Sequence, residues 1–137
     1  MFKCRACNED YMIEDTSIVP ICQSCEATQP WIVQGYDDTL TKDLLYEGPI
    51  LLMFTATWCN PCQKMKPLIR QLAEEYAGKL KVIFADVEVS QKFSQSYEIT
   101  ALPTILVGRG GTAGKFDEIF MGLVNIEKIR ESITNVK

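Results

Sequence analysis

The chain has 137 residues, 47% of them hydrophobic and 23% charged, with a net charge of −4. That balance suits one ordinary globular domain with a small appendage. No apolar run is long enough to span a bilayer, and the acidic balance argues against nucleic acid, whose phosphates call for clustered Lys and Arg. The opening MFKCRACNED turns polar at once and offers no apolar signal-peptide core, so a cytoplasmic address is expected.

Residues 1–29 show little helical periodicity and carry two C-x-x-C pairs, Cys4/Cys7 and Cys22/Cys25, with 14 residues between them. The gap is one residue short of the usual ~15–20 for a two-knuckle metal site. Each such turn can supply two thiolates to a tetrahedral S4 site. The residue after the second cysteine of a knuckle tends towards φ > 0, which Asn8 accommodates better than Glu26. A segment this short cannot bury enough surface to fold alone, so metal binding would supply most of its folding energy. One structural zinc per chain, held by Cys4, Cys7, Cys22 and Cys25, is favoured over loose reduced thiols or two disulfides. Histidine is absent, which excludes His-based triads and His-ligated metal sites.

Thr28-Gln29-Pro30 reads as a linker into a second domain, residues 30–137. Trp31–Gln34 is a short strand, and Asp37 or Asp38 is placed to cap a helix carrying Leu40, Leu44 and Leu45, ended by Gly48-Pro49. Ile50–Phe54 is a continuous apolar run, the mark of a strand buried on both faces. Behind it come Trp58-Cys59-Asn60-Pro61-Cys62 and a helical stripe of Met65, Leu68, Ile69, Leu72 and Tyr76, stopped by Gly78. Pro67 should kink this helix. The third C-x-x-C therefore lies between a buried strand and a helix start, where unpaired N–H groups and the helix dipole stabilise a thiolate at Cys59. Pro61 suits a first turn, where its missing N–H costs nothing. Lys81–Ala85 reads as the next buried strand, Gln91–Tyr97 as a short helix, and Ile105–Val107 and Phe116–Met121 as strands joined by a Gly-rich turn, Gly108 to Gly114. Asn125 caps a last helix with Ile126, Ile129 and Ile133 facing inward. The order β-α-β-α-β-α-β-β-α describes an α/β protein, a mixed sheet with helices on both faces.

These motifs together resemble the thioredoxins: WC-x-PC after an apolar strand, Pro67 five residues past Cys62, Pro103-Thr104 before a late strand, and Gly122 after the last one. With residues 1–29 included, the chain is similar to the zinc-containing bacterial thioredoxins. The resemblance implies a thioredoxin fold preceded by a zinc ribbon, and a role for each site residue. Cys59 would be the exposed nucleophile and Cys62 the buried resolving thiol, flanked by Trp58. Pro103 would be held cis opposite the disulfide. The backbone of Leu102 would pair with bound substrate, and Gly122 would keep the groove open.

Three departures stand out. Asn60-Pro61 replaces the family's usual Gly-Pro, and this middle pair influences reduction potential. Met53, six residues before Cys59, stands where the family usually buries an Asp beneath the second cysteine. Phe84 stands where a Lys commonly neighbours that Asp. The turn between Pro103 and Gly122 is also longer than usual and carries Arg109 and Lys115.

The resulting expectation is a monomeric protein-disulfide reductase with disulfide-containing client proteins and, by resemblance, an NADPH-dependent thioredoxin reductase as partner. No organic cofactor, nucleic acid or membrane partner is expected. A thioredoxin-fold interaction module, or a more oxidising isomerase-like exchanger, is the alternative.

Overall fold

The computed structural model describes residues 2–4, 6–11, 19–111 and 115–136. Two short strands, β1 (Phe2–Lys3) and β2 (Asp10–Tyr11), pair antiparallel at the N-terminus. The remaining elements are β3 (Trp31–Gly35), α1 (Leu40–Asp43), β4 (Pro49–Thr55), α2 (Asn60–Glu75), β5 (Lys81–Asp86), α3 (Gln91–Ser96), β6 (Thr104–Arg109), β7 (Lys115–Met121) and α4 (Ile126–Thr134). From residue 31 onward this is the element order that the sequence predicts.

The sheet runs β3-β5-β4-β6-β7, with β3, β5 and β4 parallel and β6 and β7 antiparallel to their neighbours. β4 is the middle strand, and its apolar run has a simple cause. Leu51 and Met53 face a cluster with Met65, Ile69 and Leu72 of α2 and Ile129 and Ile133 of α4. Ile50, Leu52 and Phe54 face Trp31, Leu40 and the α3 side, where Phe93 and Tyr97 pack. Both faces are covered from Ile50 to Phe54, so a polar residue in that run would lose apolar burial. Gly108 sits at a β-bulge between β6 and β7, where a Cβ would lie 2.2 Å from the carbonyl oxygen of Lys115. Residues 112–114 of the predicted Gly-rich turn lie outside the described residues.

Several local expectations are corrected. Asp37 does not cap α1, whose N-cap is Thr39. Its carboxylate instead accepts from the N–H groups of Lys92 (3.3 Å) and Phe93 (3.1 Å), capping α3 from across the fold. α1 ends before Leu45, which is exposed. α2 runs through Pro67 as one helix, in keeping with the sequence reading that placed this proline inside it, and Pro67 lies on its exposed side. β5 opens on a buried charge: Lys81 Nζ donates to the Asp43 carbonyl at 2.7 Å, lies 3.4 Å from Asp43 Oδ1, and sits 4.9 Å from the Trp31 ring centroid. Asn125 does cap α4, accepting from the Glu127 N–H at 2.8 Å.

The remote cap generates a test. Asp37→Ala should lower stability to urea by about 1 kcal/mol, whereas Asp37→Asn, which keeps one accepting oxygen of the two, should lose less. Equal losses in the two variants would show that the cap does not hold α3.

Candidate active site and a four-cysteine cluster

Cys59 is the N-cap of α2, with an extended backbone, and its Sγ accepts from the N–H of Cys62 at 3.2 Å. Asn60 and Pro61 occupy the first turn, so one of its free N–H groups is removed by Pro61 and another is turned onto sulfur. A disulfide joins Cys59 to Cys62, with a Cα–Cα distance of 5.3 Å. The expectation of an exposed nucleophile needs correcting. Cys59 is only 5% exposed and Cys62 0%, because Met53, Ala56 and Met65 pack in the same cluster. Access to Cys59 comes instead through a groove of about 880 Å³, lined by Trp58, Cys59, Asn60, Pro61, α3 and the segment Ala101-Leu102.

Trp58 is 65% exposed, so it is not a core residue, and its indole N–H donates to the carboxylate of Glu88. The Leu102–Pro103 bond is cis. Pro103 is buried and its carbonyl accepts from the Gly122 N–H at 2.9 Å, which brings the last predicted site residue beside the others. Gly122 has φ +77, a conformation that disfavours a side chain, and a Cβ there would meet nothing within 4 Å. Beneath the disulfide, Met53 is fully buried and paired in register with Phe84 on β5. Phe84 carries the Arg70 guanidinium 5.7 Å from its ring centroid. Among the described residues the buried charged side chains are Asp43 and Lys81, which pair with each other at 3.4 Å rather than with the disulfide.

A family model described as thioredoxin matches residues 31–135. The chain belongs to the thioredoxin family. It is 33% identical over 91 residues to the chloroplastic thioredoxin M-type of Zea mays, a match covering 66% of this chain and 54% of that protein. It is 32% identical over 79 residues to thioredoxin 1 of Nostoc sp., covering 57% and 74% respectively. The oxidised mitochondrial thioredoxin 3 of Saccharomyces cerevisiae has the same fold, with TM-score 0.67, 24% identity, and 77% of this chain and 95% of that one covered. The chain thus spans about half the length of the maize protein.

The four remaining cysteines lie in the segment before this thioredoxin match. Their sulfurs are all within 4.8 Å of one another, with Cys4–Cys25 at 3.6 Å and Cys7–Cys22 at 3.7 Å. A disulfide would bring two sulfurs to ~2.05 Å, whereas a tetrahedron with metal–sulfur arms of ~2.3 Å has edges of ~3.8 Å. The donor set fits a soft divalent cation. The two turns are near copies: Asn8 N–H donates to Cys4 O and Cys4 N–H to Glu9 O, and Glu26 N–H to Cys22 O and Cys22 N–H to Ala27 O. Both Asn8 and Glu26 have φ +63, as the knuckle pattern requires. Cys4 Sγ also accepts from the N–H groups of Ala6 (3.3 Å) and Cys7 (3.4 Å). The Cys7 N–H is the largest influence holding the Cys4 thiol down to about 6, against desolvation and with help from Ala6.

Sequence reasoning missed three contributors. Gln29, read as linker, is fully buried, and its Nε2 donates to Cys4 Sγ at 3.2 Å and to the Ala27 carbonyl at 2.8 Å. Glu88 and the α3 wall of the groove carried no motif. The Gln29-Pro30 step just before β3 was the available signal, since a linker amide one step from a buried strand has little room to stay in solvent.

Met53→Asp tests the apolar floor. An unpaired carboxylate there should destabilise the fold by roughly 3 kcal/mol or more at neutral pH. Burial raises the carboxyl's folded pKa, so stability should be greatest below the unfolded value near ~3.9 and fall as pH rises through the raised folded value. The variant should also raise the Cys59 pKa. A pH-independent stability and an unchanged Cys59 titration would show that position 53 does not lie under the pair.

Proposed function

We propose that the chain is a protein thiol–disulfide oxidoreductase that reduces client disulfides through Cys59 and Cys62. The Cys62 N–H aimed at the Cys59 sulfur, at the mouth of a groove, carries this reading. In the dithiol form, the Cys59 thiolate attacks one sulfur of a client disulfide. A Cys59–client bond forms, the client S–S bond breaks, and the released client thiolate takes up a proton. Cys62 then loses its proton and its sulfur attacks Cys59 Sγ, forming the Cys59–Cys62 disulfide and releasing the second client thiolate. Two electrons pass from the dithiol to the client. With Met53 and Phe84 beneath the pair, the Cys62 proton leaves to water or to the departing client thiolate rather than to an internal carboxylate.

In this reading Leu102 offers its backbone to the client chain, beside Cys59 in the same groove. Gly122 keeps the approach free of a side chain, and a thioredoxin reductase drawing on NADPH restores the dithiol. Cys4, Cys7, Cys22 and Cys25 hold one structural zinc, supported by the sulfur spacing and the paired knuckle turns. The metal stabilises the N-terminal segment and takes no part in the exchange. Four thiolates kept for a metal call for a reducing compartment, which is the ground for proposing the cytoplasm.

Two experiments follow. The reduced protein should precipitate insulin by reducing its disulfides, and Cys59→Ser should abolish this; activity retained in Cys59→Ser would contradict the reading. Reduced protein should hold one zinc per chain, with Gln29→Leu weakening metal binding about tenfold through loss of its N–H···S bond. Metal analysis finding no stoichiometric zinc would remove the metal site.

A further inference from the structure

The groove over Cys59 is not electrically neutral. Its lining contains one formal charge, Glu98, together with the neutral Gln91, Ser94, Gln95 and Thr100, and no Lys or Arg lines it among the described residues. A second carboxylate, Glu88, is fixed at its rim by the indole N–H of Trp58 and by its own N–H donating to Asp86 Oδ1 at 2.8 Å. Glu98 is also in an unusual conformation. It follows the C-terminal end of α3 with φ +53, its N–H donating to the Gln95 carbonyl and the next N–H, of Ile99, to Ser94. A residue ending a helix in this left-handed conformation is normally Gly, because a Cβ is disfavoured there. The Glu98 carboxylate thus belongs to the wall of a groove whose other lining side chains carry no formal charge.

We infer that Glu98, with Glu88, selects client disulfides flanked by Lys or Arg. The inference rests on the exchange reading above and names its substrate class. The chemistry is reinforcing. A cation beside the client cysteine is drawn to the carboxylates as the client enters, which favours encounter and docking. The same cation lowers the pKa of the departing client thiol, which makes it the better leaving group. The carboxylates act on docking and leave the bond changes at Cys59 and Cys62 as already described, so Glu98 is a specificity residue and not a catalytic one.

The test uses three synthetic peptide disulfides that differ only in the residue beside cysteine: Lys, Gln or Glu. The second-order rate constant for reduction by the full-length dithiol protein is divided by that for dithiothreitol, which removes the intrinsic leaving-group effect. The normalised Lys/Glu rate ratio should be about fivefold at low salt, the size expected of partly exposed charge pairs. It should collapse towards unity at ~0.5 M salt. Glu98→Gln should reduce the ratio and Glu98→Lys should invert it. Glu98→Gly should lower the ratio while raising stability, since it removes the charge and relieves the backbone together, a pairing that a purely structural role does not produce. A ratio that is the same in the wild type and Glu98→Lys, or insensitive to salt, would overturn the inference. If no peptide is reduced by the wild type, the exchange reading fails instead, and this inference with it.

Discussion

The N–H of Cys62 pointing at the Cys59 sulfur is the interaction on which the rest of the site depends. It exists because the first turn of a helix has N–H groups with no carbonyl to receive them, and because Cys59 sits at the cap position. A sulfur held there gains from carrying negative charge. The helix can be aimed this way only because its Met65, Ile69 and Leu72 stripe is seated on β4, the strand that ends just before the active-site turn. Packing of a largely apolar strand thus sets the electrostatics of a thiol at the base of the groove. The groove completes the arrangement: Trp58 is tied to Glu88, Gly122 to Pro103, and α3 is held from outside by Asp37.

Beneath this polar mouth the floor is wholly apolar. Met53 and Phe84 are paired across β4 and β5, and neither can accept or donate a proton. Replacing a buried ion pair by apolar side chains is often neutral or stabilising for a fold. In the proposed exchange the consequence falls on the proton of Cys62, which has no acceptor in the Met53–Phe84 pair. Arg70, on α2, places its guanidinium over the Phe84 ring.

Much of this was legible because the signals were local. A continuous apolar run, a C-x-x-C at its end and a stripe with helical spacing specify strand, turn and helix in one stretch of chain. The positive φ of Asn8 and Glu26 followed from the knuckle pattern alone. What escaped depends on contacts distant in sequence. Asp37 looked like a cap for the helix just after it, yet its partners are 55 and 56 residues away. Lys81 was read as the first residue of a buried strand with no partner named for its charge, and its ammonium donates to a carbonyl 38 residues earlier. Gln29 looked like linker, and its amide reaches back 25 residues to a sulfur. Cys59 was expected to be exposed, but neighbours packed around the disulfide leave little of it open to solvent.

The two sets of cysteines are kept apart by the length of one helix. Cys59 caps the N-terminal end of α2, while Thr28, just past the second knuckle, donates its hydroxyl to the Ala77 carbonyl beyond the C-terminal end. Sixteen residues at ~1.5 Å each separate those ends by ~24 Å, so exchange within one chain between Cys59 and the four-cysteine cluster is sterically closed. The most direct test of the central claim is to trap the exchange intermediate. Cys62→Ser, incubated with a peptide disulfide, should accumulate a mixed disulfide that peptide mapping by mass spectrometry locates on Cys59. Adducts on Cys4, Cys7, Cys22 or Cys25 instead, or no adduct, would contradict it.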